Sequence, residues 1–290
     1  MKKIIAWIKL LRVKHYIKNF LIFVPLFFSA DFGKSLEQIV DLIMAFMAFC
    51  LVSSLVYIIN DINDREADRQ HEIKCKRPIA SGEIKVSHAL MGAMILAISM
   101  FLLNSLAKGR FFNAGLLYLF LYLILNIAYS FRLKNIPIVD IMILASGFLI
   151  RILYGAEISG TKASDWLILT IIAFSLYMGL GKRRNEIIKQ GENTRTRAVL
   201  KLYTYEFCDK MMIASMTLGI AFYSLWAISM TYSNLLIWSI LLVIFICMKY
   251  TLVIEGNSYG DPVDVLLEDR ILIVALLGYM VYMCLVIYVI

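Results

Sequence analysis

Apolar runs of about 20 residues, the length that crosses about 30 Å of hydrocarbon as a helix, recur along the whole chain. They predict helices near 16–33, 37–60, 88–107, 111–130, 137–156, 163–181, 211–230, 233–254 and 271–290. Pro25 falls inside the first run, where its missing N–H and fixed φ work against a continuous helix. Two long polar segments interrupt the pattern, 61–87 after the second run and 182–210 after the sixth. No Pro/Gly/Ser-rich linker or low-complexity tract divides the chain, so 1–290 reads as a single polytopic membrane domain capped by those two segments.

Composition agrees with the pattern: 61% hydrophobic, 17% charged and a mean hydropathy of +0.79. Soluble domains hold roughly 45–50% apolar and about 25% charged residues. The fold class expected is an all-α membrane protein, a bundle of about nine transmembrane helices around a central cavity opening to the cytoplasmic side. Lysine and arginine accumulate in cytoplasmic loops. With the N-terminus inside, 24 of the 29 fall on the cytoplasmic side, Lys34, Lys108, Arg110 and Lys162 fall outside, and Arg151 lies within a helix. The expected topology is therefore that of a multi-pass protein of the cytoplasmic membrane, N-terminus cytoplasmic and C-terminus outside. Lys2 and Lys3 are not followed by a short apolar core and a small-residue cleavage site, so no removable signal peptide is read.

The net charge of +8 is thus a charge of the cytoplasmic face, suited to anionic headgroups or phosphorylated substrates. A nucleic-acid partner is not expected, since no soluble basic domain exists to bind one. Homo-oligomerisation is left open. The five cysteines are scattered singly without metal-ligand spacing, and His15, His71 and His88 are too dispersed to form a metal site.

Candidate chemistry concentrates in "YIINDINDREADRQ", 57–70. Asp61, Asp64 and Asp68 are spaced i, i+3, i+7 and share one face if the second helix runs on. Carboxylates stacked on one face repel unless a cation sits between them, and Mg²⁺ uses such hard oxygen ligands to hold phosphate-bearing substrates. Asn60 adds an amide oxygen. A solvated charged segment, its acids paired with Arg65, Arg69 and Lys74, is the alternative on charge alone. The following "KCKRPIASGEI" brings Lys74, Lys76 and Arg77 behind the acids, with Pro78 and Gly82 shaping a turn. Acids that bind a cation beside bases that bind phosphate are the ingredients of a metal-diphosphate site.

The form N-D-x-x-D-x-x-x-D at 60–68 resembles the aspartate motif of the UbiA superfamily of intramembrane prenyltransferases. The resemblance extends through "LRVKHYIKNFLIFVPLFFS" (11–29), "AYSFRLKNIPIVDIMILASGFLIRILYGA" (128–156), "GLGKRRNEI" (179–187) and "GDPVDVLLEDRIL" (260–272). Together these blocks are similar to the decaprenyl-phosphate phosphoribosyltransferase branch more than to the aromatic prenyltransferases. Aromatic prenyltransferases of this fold carry a second aspartate-rich motif after the sixth helix. This chain has "GKRRNEIIKQGENTRTR" there, and seven cations stand against two acids between 182 and 201. A basic segment suits phosphate groups; as topology signal alone it also obeys the positive-inside rule.

The resemblance implies Mg²⁺-dependent transfer of a 5-phosphoribosyl group from phosphoribosyl pyrophosphate (PRPP) to a polyprenyl phosphate, decaprenyl or undecaprenyl, releasing pyrophosphate for synthesis of a cell-envelope polysaccharide precursor. It implies Asn60, Asp61, Asp64 and Asp68 as metal ligands, the three aspartates being catalytic. Substrate-binding positions on the matching blocks are Lys14, Lys18, Asn60, Arg77, Tyr129, Lys134, Lys182, Arg183 and Glu186. The alternative reading is an aromatic prenyltransferase with a prenyl diphosphate donor. A transporter whose acids bind a coupling cation is a third, but that class places ionisable groups near the bilayer midplane, whereas here nearly all sit at the cytoplasmic face, with Arg151 the main exception.

Three further features carry expectations. Arg151 sits deep in an apolar run and requires a polar partner. Asp261-Pro262 reads as a helix N-cap followed by proline at the first helical position. Gly147 and Gly155 favour close helix packing over approach of a ligand.

Overall fold

The structure, a computed structural model, describes residues 2–29, 36–70, 72, 74–109, 112–190, 198–230, 233–256 and 260–289. Among them secondary structure is entirely helical. Eight helices are long and apolar enough to cross a membrane: α3 (Leu36–Asn63), α5 (Val86–Leu106), α6 (Ala114–Phe131), α7 (Val139–Ser159), α8 (Asp165–Gln190), α9 (Tyr205–Ser229), α10 (Ser233–Glu255) and α12 (Arg270–Tyr288). Shorter pieces complete the set: α1 (Lys2–Leu11), α2 (Val24–Phe28), α4 (Arg65–Arg69) and α11 (Pro262–Glu268).

The first of the nine expected spans does not form as one helix. Arg12 adopts a left-handed conformation (φ 52°, ψ 46°) that ends α1, and Val13–Phe23 follows as a 3₁₀ segment. Pro25 then stands in the first turn of α2, where a missing N–H costs nothing. With about three residues per 3₁₀ turn, Tyr16, Asn19 and Ile22 line one face of this segment. That face is anchored: the Tyr16 hydroxyl lies 2.7 Å from Ser54 Oγ, and Asn19 and Ile22 are wholly buried. The same winding sets Lys14 and Lys18 about 120° apart, so they do not share a face as they would on an α-helix.

The chain divides into two compact units, residues 1–134 with 150–162, and residues 135–149 with 163–290. In the first, α3 is the central element: Ala45, Ala48, Phe49 and Val52 pack with Ile22, Tyr122 and Tyr154. Small residues on α3 let neighbouring backbones come close. A second cluster joins Ala6 and Leu10 of α1 to Ile58, Ile79 and Ala89. In the second unit, Tyr177, Leu180, Met212, Tyr250, Ile254 and Leu272 form the core of α8, α9, α10 and α12.

Arg151 finds its partner in the first unit. Its Nε donates to Asn19 Oδ1 at 2.7 Å and an Nη donates to the Tyr122 hydroxyl at 3.2 Å, with the guanidinium 4.8 Å from the Phe49 ring centroid. One turn on, Gly155 lies directly against the Ile22 carbonyl, where any Cβ would overlap it. Arg151 and Gly155 thus dock the 3₁₀ segment on α7. The close approach expected of Gly155 is borne out, against a 3₁₀ backbone.

Asp261 caps α11 as expected, its Oδ1 accepting from the Val263 N–H at 3.1 Å with Pro262 next. Asp269 caps α12 through the Leu272 N–H at 2.8 Å.

Candidate functional site

The acidic stretch of the first unit begins as the last turn of α3 and steps into α4 at Asp64 (φ −88°, ψ 4°). Two i to i+4 bonds, Asp64 N–H to Asn60 carbonyl (2.9 Å) and Asp68 N–H to Asp64 carbonyl (2.8 Å), keep the path helical across the step. Asp61 and Asp68 therefore come to one side, as their spacing suggests. Both are almost wholly enclosed, at 2% and 3% exposure.

The segment "RPIASGEI" brings a cation to them. Ile79, Ala80 and Ile84 are buried, the Ile84 N–H closes a turn on the Pro78 carbonyl (2.9 Å), and Gly82 supplies the positive φ (83°) that the turn needs. Arg77, at the start of this turn, puts one guanidinium nitrogen 3.1 Å from Asp61 Oδ1 and 2.6 Å from Asp68 Oδ2. Arg12 adds a second guanidinium, 2.7 Å from the same Asp61 oxygen and 4.5 Å over the Tyr57 ring. The left-handed backbone at Arg12 is what aims it there, and strain of this kind gathers at functional sites.

The three aspartates do not form one triad. Asp64 binds Lys134 Nζ at 2.7 Å, and Asn60 accepts from Ser130 Oγ at 3.1 Å. Among the described residues no three acidic, cysteine or histidine side chains converge as a ready-made metal cluster. The outer two carboxylates share Arg77, while the middle one is held by Lys134 instead. The donor set nevertheless fits a divalent cation. Mg²⁺ is usually held by one or two carboxylates with substrate phosphates completing its shell, and the Asp61–Asp68 pair already embraces a positive group. Tyr129 is half-buried one residue before Ser130; Lys14 is exposed and Lys18 half-buried on the 3₁₀ segment.

The second unit corrects the reading of its basic segment. Residues 182–190 continue α8 as helix, because "KRRNEIIKQ" contains good helix formers and no breaker. Arg183 is fully buried, its Nε 2.8 Å from Asp140 Oδ2 and its Nη1 paired one turn on with Glu186. Arg184 binds Asp209 (2.8 Å), Glu255 (3.4 Å) and Tyr205, and Lys182 binds Asp261 (2.9 Å). The acids that balance these cations come from α7, α9, α10 and the cap of α11, so local counting of charge missed them. Arg195 and Arg197 lie outside the described residues.

Sequence reasoning also missed Tyr203. Its hydroxyl donates to Asp140 Oδ1 (2.6 Å) and accepts the Ile138 N–H (2.5 Å), and burial, then the Asp140 bond, push its pKa up. Ile138 pays a left-handed φ of 68° to present that N–H, a rare conformation for a β-branched residue. Nothing in the local sequence marks this contact across 65 residues.

Comparison with known proteins decides the family. A model described as the UbiA prenyltransferase family matches residues 20–258. The chain belongs to the UbiA prenyltransferase family. Relatives include the decaprenyl-phosphate phosphoribosyltransferase of Corynebacterium glutamicum, 30% identical over 97% of this chain and 86% of that protein. The enzyme of the same name from Mycolicibacterium smegmatis is 32% identical over 94% and 89%. The branch expected from the five sequence blocks is therefore borne out, and the chain is a membrane transferase of that branch. A UbiA homologue from Archaeoglobus fulgidus, solved with DMAPP and Mg²⁺, shares the fold at a TM-score of 0.73 and 17% identity, over 98% of this chain and 100% of that one.

Proposed function

We propose that this UbiA-family transferase moves a 5-phosphoribosyl group from PRPP to a polyprenyl phosphate of the decaprenyl or undecaprenyl class, releasing pyrophosphate, in a Mg²⁺-dependent reaction that supplies a cell-envelope polysaccharide precursor. The observation that carries the reading is near end-to-end similarity to two decaprenyl-phosphate phosphoribosyltransferases, joined to a buried carboxylate pair built around a cation.

In this reading Asp61 and Asp68 hold Mg²⁺, with Asp64 and Asn60 completing or orienting the set. A Mg²⁺ held by them would supply charge neutralisation for the departing diphosphate. Arg77 and Lys134 contact phosphate oxygens once released from their acids. On the basic segment Lys182, half-buried behind Asp261, contacts phosphate, because the Arg183 guanidinium is committed to Asp140 and Glu186. Lys14 and Lys18, with Tyr129, receive the lipid phosphate. The C1–diphosphate bond breaks with positive charge developing on the ribose, the lipid phosphate oxygen bonds to C1, and configuration at C1 inverts. The acceptor is already an anion, so positioning and charge stabilisation carry the catalysis. All these cations lie on the cytoplasmic face in the proposed topology, N-terminus inside.

The test uses purified full chain in detergent with Mg²⁺, radiolabelled PRPP and a C50 or C55 polyprenyl phosphate, beside Asp64→Ala. Label entering the lipid phase with wild type and not with the variant supports the reading. No transfer from PRPP, with consumption of a prenyl diphosphate and an aromatic acid instead, overturns it in favour of an aromatic prenyltransferase.

A further inference from the structure

We infer that Arg77 is an internal stand-in for the metal: its guanidinium holds the Asp61–Asp68 pair together before substrate arrives, and is handed to the donor's diphosphate when the divalent cation takes its place. The inference rests on the proposed metal role of that pair and adds the order in which charges exchange.

Three observations carry it. First, a single Arg77 nitrogen touches both carboxylates, at 3.1 and 2.6 Å, the position a bridging cation takes between two acids. Two nearly buried carboxylates seven residues apart repel strongly without a positive charge between them, so the pair needs a compensating group in every state. Second, the partners differ in enclosure. The aspartate side chains are 3% and 5% exposed, whereas that of Arg77 is 26% exposed. The acids are fixed in the end of α3 and in α4, while the guanidinium approaches from the open side on a long flexible stem. Third, the backbone behind Arg77 is anchored independently of its side chain, by Ile79 and Ile84 in the core and by the Arg77 N–H to the Lys74 carbonyl at 2.9 Å. The side chain can leave without unfolding the turn. The fully buried Arg183–Asp140 pair, 0% exposed on both sides, has no such freedom.

Exchange keeps the charge balanced: the metal replaces the guanidinium on the two acids, and the guanidinium gains diphosphate oxygens, for which its planar fork is suited. One consequence separates this from a plain structural salt bridge. Arg77 competes with metal when no diphosphate is present and cooperates with it when diphosphate is bound.

The experiment is Mn²⁺ binding to the purified full chain in detergent with and without pyrophosphate, read by equilibrium dialysis as protein-bound Mn²⁺ in excess of a protein-free chamber, since pyrophosphate itself chelates the ion. Wild type is expected to bind Mn²⁺ weakly alone and at least about tenfold more tightly with pyrophosphate. Arg77→Gln, which keeps size and hydrogen bonding but removes the charge, should bind Mn²⁺ alone about tenfold more tightly than wild type and lose most of the pyrophosphate enhancement. Arg77→Lys keeps a charge but not a fork, folds on the same electrostatics, and should fall between the two. Lys249→Gln, whose partner acid is Asp269 in the second unit, should match wild type. Equal Mn²⁺ affinity in wild type, Arg77→Gln and Arg77→Lys overturns the stand-in role and leaves the metal site intact. No Mn²⁺ binding by wild type even with pyrophosphate overturns the metal reading itself.

Discussion

Two guanidinium–carboxylate clusters of the same chemistry differ in what surrounds them. In the first unit Asp61 and Asp68 are buried, but Arg12 and Arg77 keep 22% and 26% of their side-chain surface open. In the second unit Arg183 and Asp140 are both fully enclosed, and Tyr203 closes the remaining carboxylate oxygen. Burial of one partner only leaves a cation free to exchange. Burial of both makes a lock, since separating them strands a charge in a low-dielectric interior. The same residue types thus stand half-open in one unit and enclosed in the other, the difference on which the proposed exchange rests.

The comparison is broken most directly at the lock. Asp140→Ala leaves Arg183 buried without its main partner and is expected to destabilise the protein by about 3–5 kcal/mol, seen as a large fall in the melting temperature in detergent. A loss of under about 1 kcal/mol would show that Arg183 reaches water or Glu186 alone suffices. At the exchanging cluster the balance reverses. Asp61→Asn should lower label transfer from PRPP by about a hundredfold or more, an effect of roughly 3 kcal/mol on the barrier, while the melting temperature moves little. If stability falls as far as in Asp140→Ala, Asp61 is a structural acid like its counterpart.

Docking of the 3₁₀ segment, which leads from Arg12, sharpens the contrast. Gly155→Ala should cost about 1–3 kcal/mol of stability by pushing Ile22 away from α7. Weaker lipid-acceptor binding, read as a raised KM for polyprenyl phosphate, should accompany it if Lys14 and Lys18 act there. The smallest effect lies at the mouth of α12. Asp269 has its pKa lowered by the Lys249 hydrogen bond and by the Leu272 N–H. Its folded pKa lies below the unfolded one, so its contribution is complete above the usual carboxylate range and is lost as pH falls through the folded value. Wild type should therefore lose slightly more melting temperature than Asp269→Asn between pH 7 and pH 3.

Much of this was legible in the residues. Apolar run length placed eight spans to within a few residues at most ends, because a helix in lipid must satisfy its own backbone and needs a fixed number of apolar positions. The exception, 16–33, failed for a local reason at Arg12 and Pro25 and for a tertiary one, the docking of Asn19 and Ile22 on α7. Charge marks the polar stretch from 182 as leaving the membrane, while its helix propensity carries α8 on to Gln190.

By itself the sequence determined the class, the spans and the location of the acids and bases, since these depend on composition, period and spacing, and its motif blocks carried the resemblance to the family. Only the tertiary structure decided which acid meets which base. Asp61 with Arg12, Asp64 with Lys134, and Asp140 with both Arg183 and Tyr203 are separated by 43 to 70 residues. No local pattern encodes such pairs. They arise because buried charge is tolerated only where packing of distant helices delivers a partner, and that delivery is a property of the fold.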